Sequence, residues 1–200
     1  MLDELLQRVR DFTPQDLEVD GRFPEAAVLM PITRSEDPEL VLTLRASGLS
    51  THGGEVAFPG GRRDPEDLTL MHTALRESEE EVGLPPGLVE MIGPLDPLVS
   101  RYGLRVTPFV GVVPDYVDYR PNDAEIAAVF QVPLSFFLQD QREVTHRIDY
   151  LGRSWYVPCY RFEQYKIWGL TAIMIVQLVN LAFDAGIELH RAPSSFVHLG

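Results

Sequence analysis

The feature that most constrains this fold is a helical segment with a dense group of acidic residues near its C-terminal end. Residues 65–82 have the periodicity of an amphipathic helix, and Asp64 followed by Pro65 is typical of a helix start, with Asp67 placed to bond back to the chain. Gly83 is typical of a left-handed stop. We therefore predict a helix over residues 65–82. The apolar side chains on one face, which we expect to pack against a sheet, are Leu68, Met71, Leu75 and Val82.

The opposite face of this predicted helix concentrates negative charge. Glu77, Glu80 and Glu81 are spaced by three and four residues, so their carboxylates point the same way. Folding alone does not favour like charges at the negative end of a helix dipole. A divalent cation would convert the repulsion into coordination, because carboxylate oxygens are ligands that Mg²⁺ and Mn²⁺ prefer, and Arg76 lies one turn before Glu80, where it can orient a side chain. The alternative is a solvated acidic face.

Composition narrows the class of protein. The 200 residues are 45% hydrophobic and 24% charged, as expected for one compact domain, and the net charge of −13 argues against a nucleic-acid partner. A single cysteine, Cys159, favours a reducing compartment, so we expect a cytoplasmic protein. Residues 1–12 have the pattern of a docking helix and not of a signal peptide. The apolar residues 167–183 are too few and too polar to span a membrane, and we expect no membrane partner.

The sequence has only two strongly helical segments, residues 65–82 and about 170–185, and several strand-like runs. Residues 143–151 and 153–162 predict a hairpin around Gly152, with Pro158 placing the second strand at a sheet edge. We therefore predict an α/β fold, a mixed β-sheet sandwiched between α-helices, in a single domain over residues 1–200. The other predicted strands are residues 26–33, 40–45, 55–58, 106–113 and 127–132.

The residues around the predicted helix form a recognisable motif. A short strand and turn, residues 53–61, precede it and end in Gly60-Gly61, which permits close approach of the backbone to a ligand. The run Gly61, Arg76-Glu77, Glu80-Glu81, Gly83-Leu84 resembles the Nudix box, here residues 61–84, with the signature Gly-x5-Glu-x7-Arg-Glu-U-x-Glu-Glu-x-Gly-U. That box belongs to hydrolases that split nucleoside diphosphates linked to another moiety. Two positions depart from it: Asp67 replaces the first Glu, with eight residues before Arg76, and Ser78 replaces an aliphatic residue.

This resemblance implies a Nudix fold, a cofactor of Mg²⁺ or Mn²⁺, and roles for individual residues. It makes Glu77 and Glu81 metal ligands, Glu80 a further ligand or the general base, and Arg76 part of the catalytic site, with the Gly61 carbonyl nearby. Glu125 is the second candidate for the base, because some Nudix enzymes carry a catalytic Glu on the loop after residues 121–123. A surface charge at a strand edge is the alternative for Glu125.

Segments outside the box resemble the coenzyme A pyrophosphatases of the Nudix group, over roughly residues 40–172. They are residues 42–45, 54–64, 107–111, 127–134 and 167–172. The resemblance implies hydrolysis of the coenzyme A diphosphate, possible derivatives included, to 3′,5′-ADP and 4′-phosphopantetheine. Ser50 departs from it, because the family commonly has Arg there. The candidates for binding this anionic small molecule, each alternatively a surface charge, are Arg45, Arg62, Arg63 and Arg101.

Two other functions stay open at this point. The same box would serve a Nudix hydrolase that acts on ADP-ribose or another dinucleotide. A catalytically silent Nudix domain that senses a ligand is a further alternative, although it has no need to keep Arg76 together with the three glutamates. The sequence leaves the oligomeric state open.

Overall fold

A mixed β-sheet forms the centre of the structure, a computed structural model that describes residues 1–16, 23–48, 53–150 and 152–192. Its strands are β1 (Glu25–Thr33), β2 (Glu39–Arg45), β3 (Val56–Ala57), β4 (Gly60–Arg62), β5 (Glu90–Pro94), β6 (Leu98–Val99), β7 (Arg105–Val113) and β8 (Ile126–Pro133). β1 pairs in parallel with β7 over its whole length, and the other pairings in the described sheet are antiparallel. β2 pairs with β8 on one side and with β1 and β3 on the other.

A smaller antiparallel sheet and the helices complete the described fold. The small sheet contains β9 (Arg142–Tyr150), β10 (Arg153–Phe162) and β11 (Tyr165–Ile167). The helices are α1 (Leu2–Asp11), α2 (Leu70–Val82), α3 (Leu134–Leu138) and α4 (Gly169–Phe183), and a 3-10 turn covers Pro86–Leu88. Within the residues that the structure describes, no helix is long and apolar enough to cross a membrane.

Helices cover both faces of the larger sheet, which confirms the predicted α/β sandwich. Side chains alternate along β1: Ala27 and Leu29 lie in the core beneath α2, whereas Met30 and Ile32 lie in the core shared with α1 and α4. α1 contacts both α4 and β5, so the predicted docking helix at residues 1–12 is also confirmed, with Leu5, Leu6 and Val9 buried.

The start and the buried face of α2 differ from the prediction. The helix begins at Leu70, and its N-cap is Thr69, whose hydroxyl accepts the backbone N–H of His72 at 3.1 Å. Leu68 and Met71 are exposed and Leu75 is half-buried. Val82 is buried as predicted, but the other residues that face the sheet are small or polar. This face lies close to the backbones of β1 and β4, which leaves little room for large side chains. The buried residues of α2 are Thr73, Ala74, Ser78, Glu81 and Val82.

The prediction of an edge strand from Pro158 was also wrong, since β10 is the central strand of the small sheet. β10 pairs with β9 through Pro158 opposite Thr145, but its pairing with β11 begins only at Tyr160. Pro158 therefore lies where β10 has a strand neighbour on one side only, and its missing N–H is tolerated there.

Substitutions at one buried and one exposed apolar position will test the assignment of the core. Ile173 of α4 is 8% exposed and Leu68 is 85% exposed. We expect Ile173→Asp to lower the free energy of unfolding by about 3 kcal/mol or more, because it buries an unpaired charge. Leu68→Asp should change it by less than about 0.5 kcal/mol. Urea denaturation, monitored by circular dichroism, measures the free energy of unfolding of both variants. Equal losses in the two variants would contradict the assignment of the core.

Candidate active site

Two glycines at β4 let the sheet backbone approach acidic side chains of α2. A Cβ atom added at Gly61 would lie 2.5 Å from the carboxyl carbon of Glu77, and one added at Gly60 would lie 2.4 Å from the carbonyl oxygen of Ala27. Both distances are far shorter than van der Waals contact. A larger residue at Gly60 would therefore push β4 away from the backbone of β1, whereas one at Gly61 would displace the Glu77 carboxylate. The Gly60-Gly61 pair thus lets β4 lie close to β1 and lets the Glu77 carboxylate lie against the β4 backbone.

Glu81 is a buried carboxylate on α2. Its side chain is 4% exposed. Arg45 at the end of β2 donates from Nη1 to Oε1 at 3.0 Å, and the backbone N–H of Gly60 donates to Oε2, also at 3.0 Å. Burial raises the pKa of Glu81 to about 7, and the charge of Glu77 adds to the rise. The bonds from Gly60 and Arg45 oppose this rise because they stabilise the charged form.

Arg76 is the centre of an ion-pair network at the start of the site. Its Nε and Nη2 atoms each donate to one oxygen of Asp67 at 3.0 Å, the paired geometry that suits a guanidinium and a carboxylate. Arg76 also donates to Glu80 Oε2 at 3.1 Å and to the carbonyl oxygen of Arg62 at 3.2 Å, and its Nη2 lies 3.1 Å from Glu77 Oε1. Arg76 thus joins three acidic side chains and β4.

Asp67 is the residue whose role could not be assigned from the sequence. It is buried, and it accepts the Thr73 hydroxyl at 2.9 Å and the backbone N–H of Asp64 at 3.0 Å in addition to Arg76. The bond from Arg76, helped by those from Asp64 and Thr73, holds the pKa of Asp67 well below its usual range. Two signals in the sequence pointed to it: its place at the first acidic position of the box, and its place three residues after Asp64, from where the predicted bond back to the chain does form.

The two remaining acidic candidates, Glu80 and Glu125, lie near enough to Glu77 for their charges to act on it. Burial raises the pKa of Glu77, and the charges of Glu80 and Glu125 add to the rise while Arg76 opposes it. Glu80 is 59% exposed, whereas Glu125 is half-buried and its carbonyl accepts the backbone N–H of Ala46 at 2.7 Å. The preceding loop closes the end of α2, where the backbone N–H of Asn122 donates to the Glu81 carbonyl at 2.8 Å. The structure thus brings Glu125 to the same acidic cluster.

Of the four candidate arginines, only Arg45 is seen in contact with the acidic cluster through its side chain. The side chain of Arg63 bonds Glu25 at 2.7 Å, and that of Arg101 bonds Glu55 at 3.2 Å. Arg62 contributes its carbonyl to the network around Arg76, while its side chain is exposed. Arg62 and Arg63 line a shallow pocket of about 390 Å³ that the residues of α2 do not line. Ser50 lies outside the described residues.

Comparisons with known proteins identify the family. A sequence profile of the NUDIX domain matches residues 23–148. The protein "Uncharacterized Nudix hydrolase NudL" of Yersinia enterocolitica is 42% identical over 188 residues, which cover 90% of this chain and 92% of that protein. The chain belongs to the Nudix hydrolase family. NudL of Shigella sonnei is 43% identical over 178 residues, covering 89% of this chain and 93% of that protein.

A solved structure supports the Nudix fold. The MutT/nudix family protein from Enterococcus faecalis aligns with a TM-score of 0.51 at 13% sequence identity, covering 92% of this chain and 74% of that chain. At this identity the likeness concerns the fold alone. The fold predicted from the box at residues 61–84 is therefore confirmed by both kinds of comparison.

Nudix hydrolases generally use divalent metal ions such as Mg²⁺ or Mn²⁺, so the acidic cluster must be tested as a metal site. Among the side chains that the structure describes, no group of three or more His, Cys, Asp or Glu residues is arranged to hold an ion. The carboxylates of α2 bond arginines instead. The donor set still fits a hard cation, because the carboxylates of Glu77 and Glu81, both largely shielded from solvent, provide hard oxygen donors beside the backbone of Gly61.

Substitution of Asp67 tests the network around Arg76. Asp67→Asn removes the most buried charged partner of Arg76 and leaves it the more exposed Glu77 and Glu80. We expect the free energy of unfolding at pH 7 to fall by roughly 2–4 kcal/mol. The folded-state pKa of Asp67 is depressed, so its stabilisation is present above about pH 4 and is lost as the pH falls further. The parent should therefore lose more stability than the variant in acid.

Urea denaturation at pH 7, 4 and 3 measures this difference. The matched control is Asp64→Asn, because the Asp64 carboxylate lies 3.7 Å from the same arginine but is 64% exposed. A control variant that loses as much stability as Asp67→Asn would show that burial of the pair is not responsible.

Substitution of Glu81, with a chelator present, tests whether burial raises the pKa of this carboxylate. The folded-state pKa of Glu81 is raised to about 7, so its contribution to stability is full below about pH 4 and is lost as the pH rises to 7. Relative to the parent, Glu81→Gln should therefore gain roughly 2–4 kcal/mol between pH 4.5 and pH 8. Glu80→Gln removes an exposed carboxylate and should retain the parent's profile. Parallel profiles for the parent and Glu81→Gln would contradict the shift.

Proposed function

We propose that the chain hydrolyses the diphosphate bond of coenzyme A in a metal-dependent reaction, with 3′,5′-ADP and 4′-phosphopantetheine as products. The proposal of hydrolysis rests on one observation: the carboxylates of Glu77 and Glu81 on α2 lie beside the Gly60-Gly61 segment of β4. The choice of coenzyme A rests on the segments outside the box, residues 42–45, 107–111 and 167–172 among them, which resemble coenzyme A pyrophosphatases.

The proposed cofactor is Mg²⁺ or Mn²⁺. Glu77 and Glu81 would hold it, with the Gly61 carbonyl as a further oxygen ligand; Glu80 is either another ligand or the general base. When bound, the ion neutralises diphosphate oxygens and makes water a stronger nucleophile. The two glutamates are suited to this task because burial already disfavours their negative charge, and a cation relieves that cost.

The water that attacks the diphosphate must lose a proton to a nearby base. Glu80 is our first choice, because it is exposed to solvent and Arg76 fixes its position through a bond of 3.1 Å. Glu125 is the alternative, since it lies on the loop before β8 and its charge acts on Glu77. Arg76 then serves to orient Glu77 and Glu80 and takes no proton itself.

Substrate binding requires local positive charge in a protein of net charge −13. Arg45 is the best placed of the four arginines, because its guanidinium already lies beside Glu81. Arg62, Arg63 and Arg101 are candidates for the more distant 3′-phosphate. Guanidinium groups form paired bonds with phosphate, and loss of one such contact should lower kcat/KM roughly ten- to hundredfold.

Product identification tests the proposal directly. The purified protein is incubated with coenzyme A, dephospho-coenzyme A, ADP-ribose or NADH, each with Mg²⁺, with Mn²⁺ or with excess chelator, and the products are separated by chromatography. We expect the highest kcat/KM with coenzyme A, no turnover in chelator, and a loss of several orders of magnitude in Glu81→Gln. Glu80→Gln and Glu125→Gln compare the two candidate bases, and the base should show the larger fall in kcat.

Other outcomes have defined meanings. A preference for ADP-ribose would transfer the assignment to a different Nudix substrate class while keeping the site. Full turnover in excess chelator would overturn the metal-dependent reaction. No cleavage of any of the four compounds with metal present would favour a ligand-sensing domain.

A further inference from the structure

Arg45 is the charged partner of the buried Glu81 carboxylate in this structure. Its side chain is 21% exposed and reaches from the end of β2 to α2, where Nη1 bonds Oε1 of Glu81. The second oxygen of that carboxylate is already bonded to the backbone N–H of Gly60. Oε1 is therefore the oxygen whose partner is a side chain, the Arg45 guanidinium, and not the main chain.

The main chain holds Arg45 in this place. Its backbone N–H donates to the Glu55 carbonyl at 3.0 Å, and its carbonyl accepts the Gly54 N–H at 3.1 Å, so residue 45 is paired on both backbone groups. A change in the Arg45–Glu81 contact must therefore come from rotation of the side chains. Such rotation is feasible for a partly exposed arginine whose guanidinium lies at the edge of the cluster.

The bonding of Arg45 is incomplete in one respect. Its Nε atom is buried and has no hydrogen-bond partner in the part of the chain that the structure describes. A buried donor without a partner costs free energy, so Arg45 is incompletely satisfied in this arrangement. The cost is tolerated because the buried charge of Glu81 needs a counter-ion.

We infer that Arg45 is the counter-ion of Glu81 in the metal-free protein and that a divalent cation must displace it, so that Arg45 and the metal compete for one carboxylate. This inference rests on the proposed metal-dependent function. In the absence of a cation, Arg45 stabilises the buried negative charge of Glu81. The same contact lowers the affinity of Glu81 for the cation. The displaced guanidinium, with Nε still lacking a partner, is then free to donate to an anionic substrate.

Metal binding without substrate tests the competition. Binding of Mn²⁺ at pH 8 is followed by the electron paramagnetic resonance signal of the free ion. We expect Arg45→Met to bind Mn²⁺ roughly three- to tenfold more tightly than the parent. Arg45→Gln, which keeps a donor to Glu81 but removes the charge, should change in the same direction and serves if Arg45→Met does not fold.

The matched control is Arg161→Met, which removes the arginine of an exposed ion pair with Glu143 in the small sheet and should bind Mn²⁺ as the parent does. Thermal unfolding gives a second readout: in chelator Arg45→Met should melt below Arg161→Met, and Mn²⁺ should raise its melting temperature by more.

Equal or weaker Mn²⁺ binding in both Arg45 variants, with the parent binding normally, would overturn the competition and leave the proposed function intact. A parent chain that binds no Mn²⁺ would overturn the proposed metal dependence itself, and this inference with it.

Discussion

The buried carboxylate of Glu81 imposes requirements on every element around it. A charge removed from water must be compensated by hydrogen bonds and an opposite charge, or the group becomes protonated. Here the compensation comes from two distant parts of the chain, the backbone N–H of Gly60 and the guanidinium of Arg45. The close packing of β2, β4 and α2 is thus linked to one side chain, and the residual cost is visible in its raised pKa.

The ion pair between Arg76 and Asp67 provides the rigid part of the site. The box-like segment has one more residue between these two positions than the signature, and an aspartate replaces the longer glutamate. Neither change disturbs the carboxylates, because α2 begins only at Leu70 and Asp67 lies in the turn before it. An extra residue in a turn does not rotate the helix, so Glu77, Glu80 and Glu81 keep their phase relative to Arg76. The turn bends back so that the shorter Asp67 side chain reaches the guanidinium directly.

The acidic face of α2 was predictable from spacing, whereas its buried face was not. Helical periodicity placed Leu68 and Met71 towards the sheet, yet both are exposed. Leu68 is exposed because it precedes the helix, which begins at Leu70. On the buried side, Ala74 packs in the core with Ala27 and Leu29 of β1, and the Ser78 hydroxyl bonds the Ala74 carbonyl at 2.7 Å. Hydrophobic pattern assumes that the apolar stripe packs inward, and this assumption fails on α2, where Thr73, Ser78 and Glu81 lie on the buried face.

Much of this protein was determined by the sequence alone. Local preferences placed five features within a few residues: the bounded apolar runs of β1, β2 and β7, the continuous apolar pattern of α4 and the Gly83 stop. The spacing of Arg76 and the three glutamates is also local, because residues on one helix are set by its pitch. The tertiary structure alone decided the partners of those charges. Arg45 and Glu81 are 36 residues apart, and the selection of Arg45 from four candidate arginines depends on the pairing of β2 beside β3 and on the packing of α2 across β4. No local preference encodes such a contact, since it exists only when the sheet is complete.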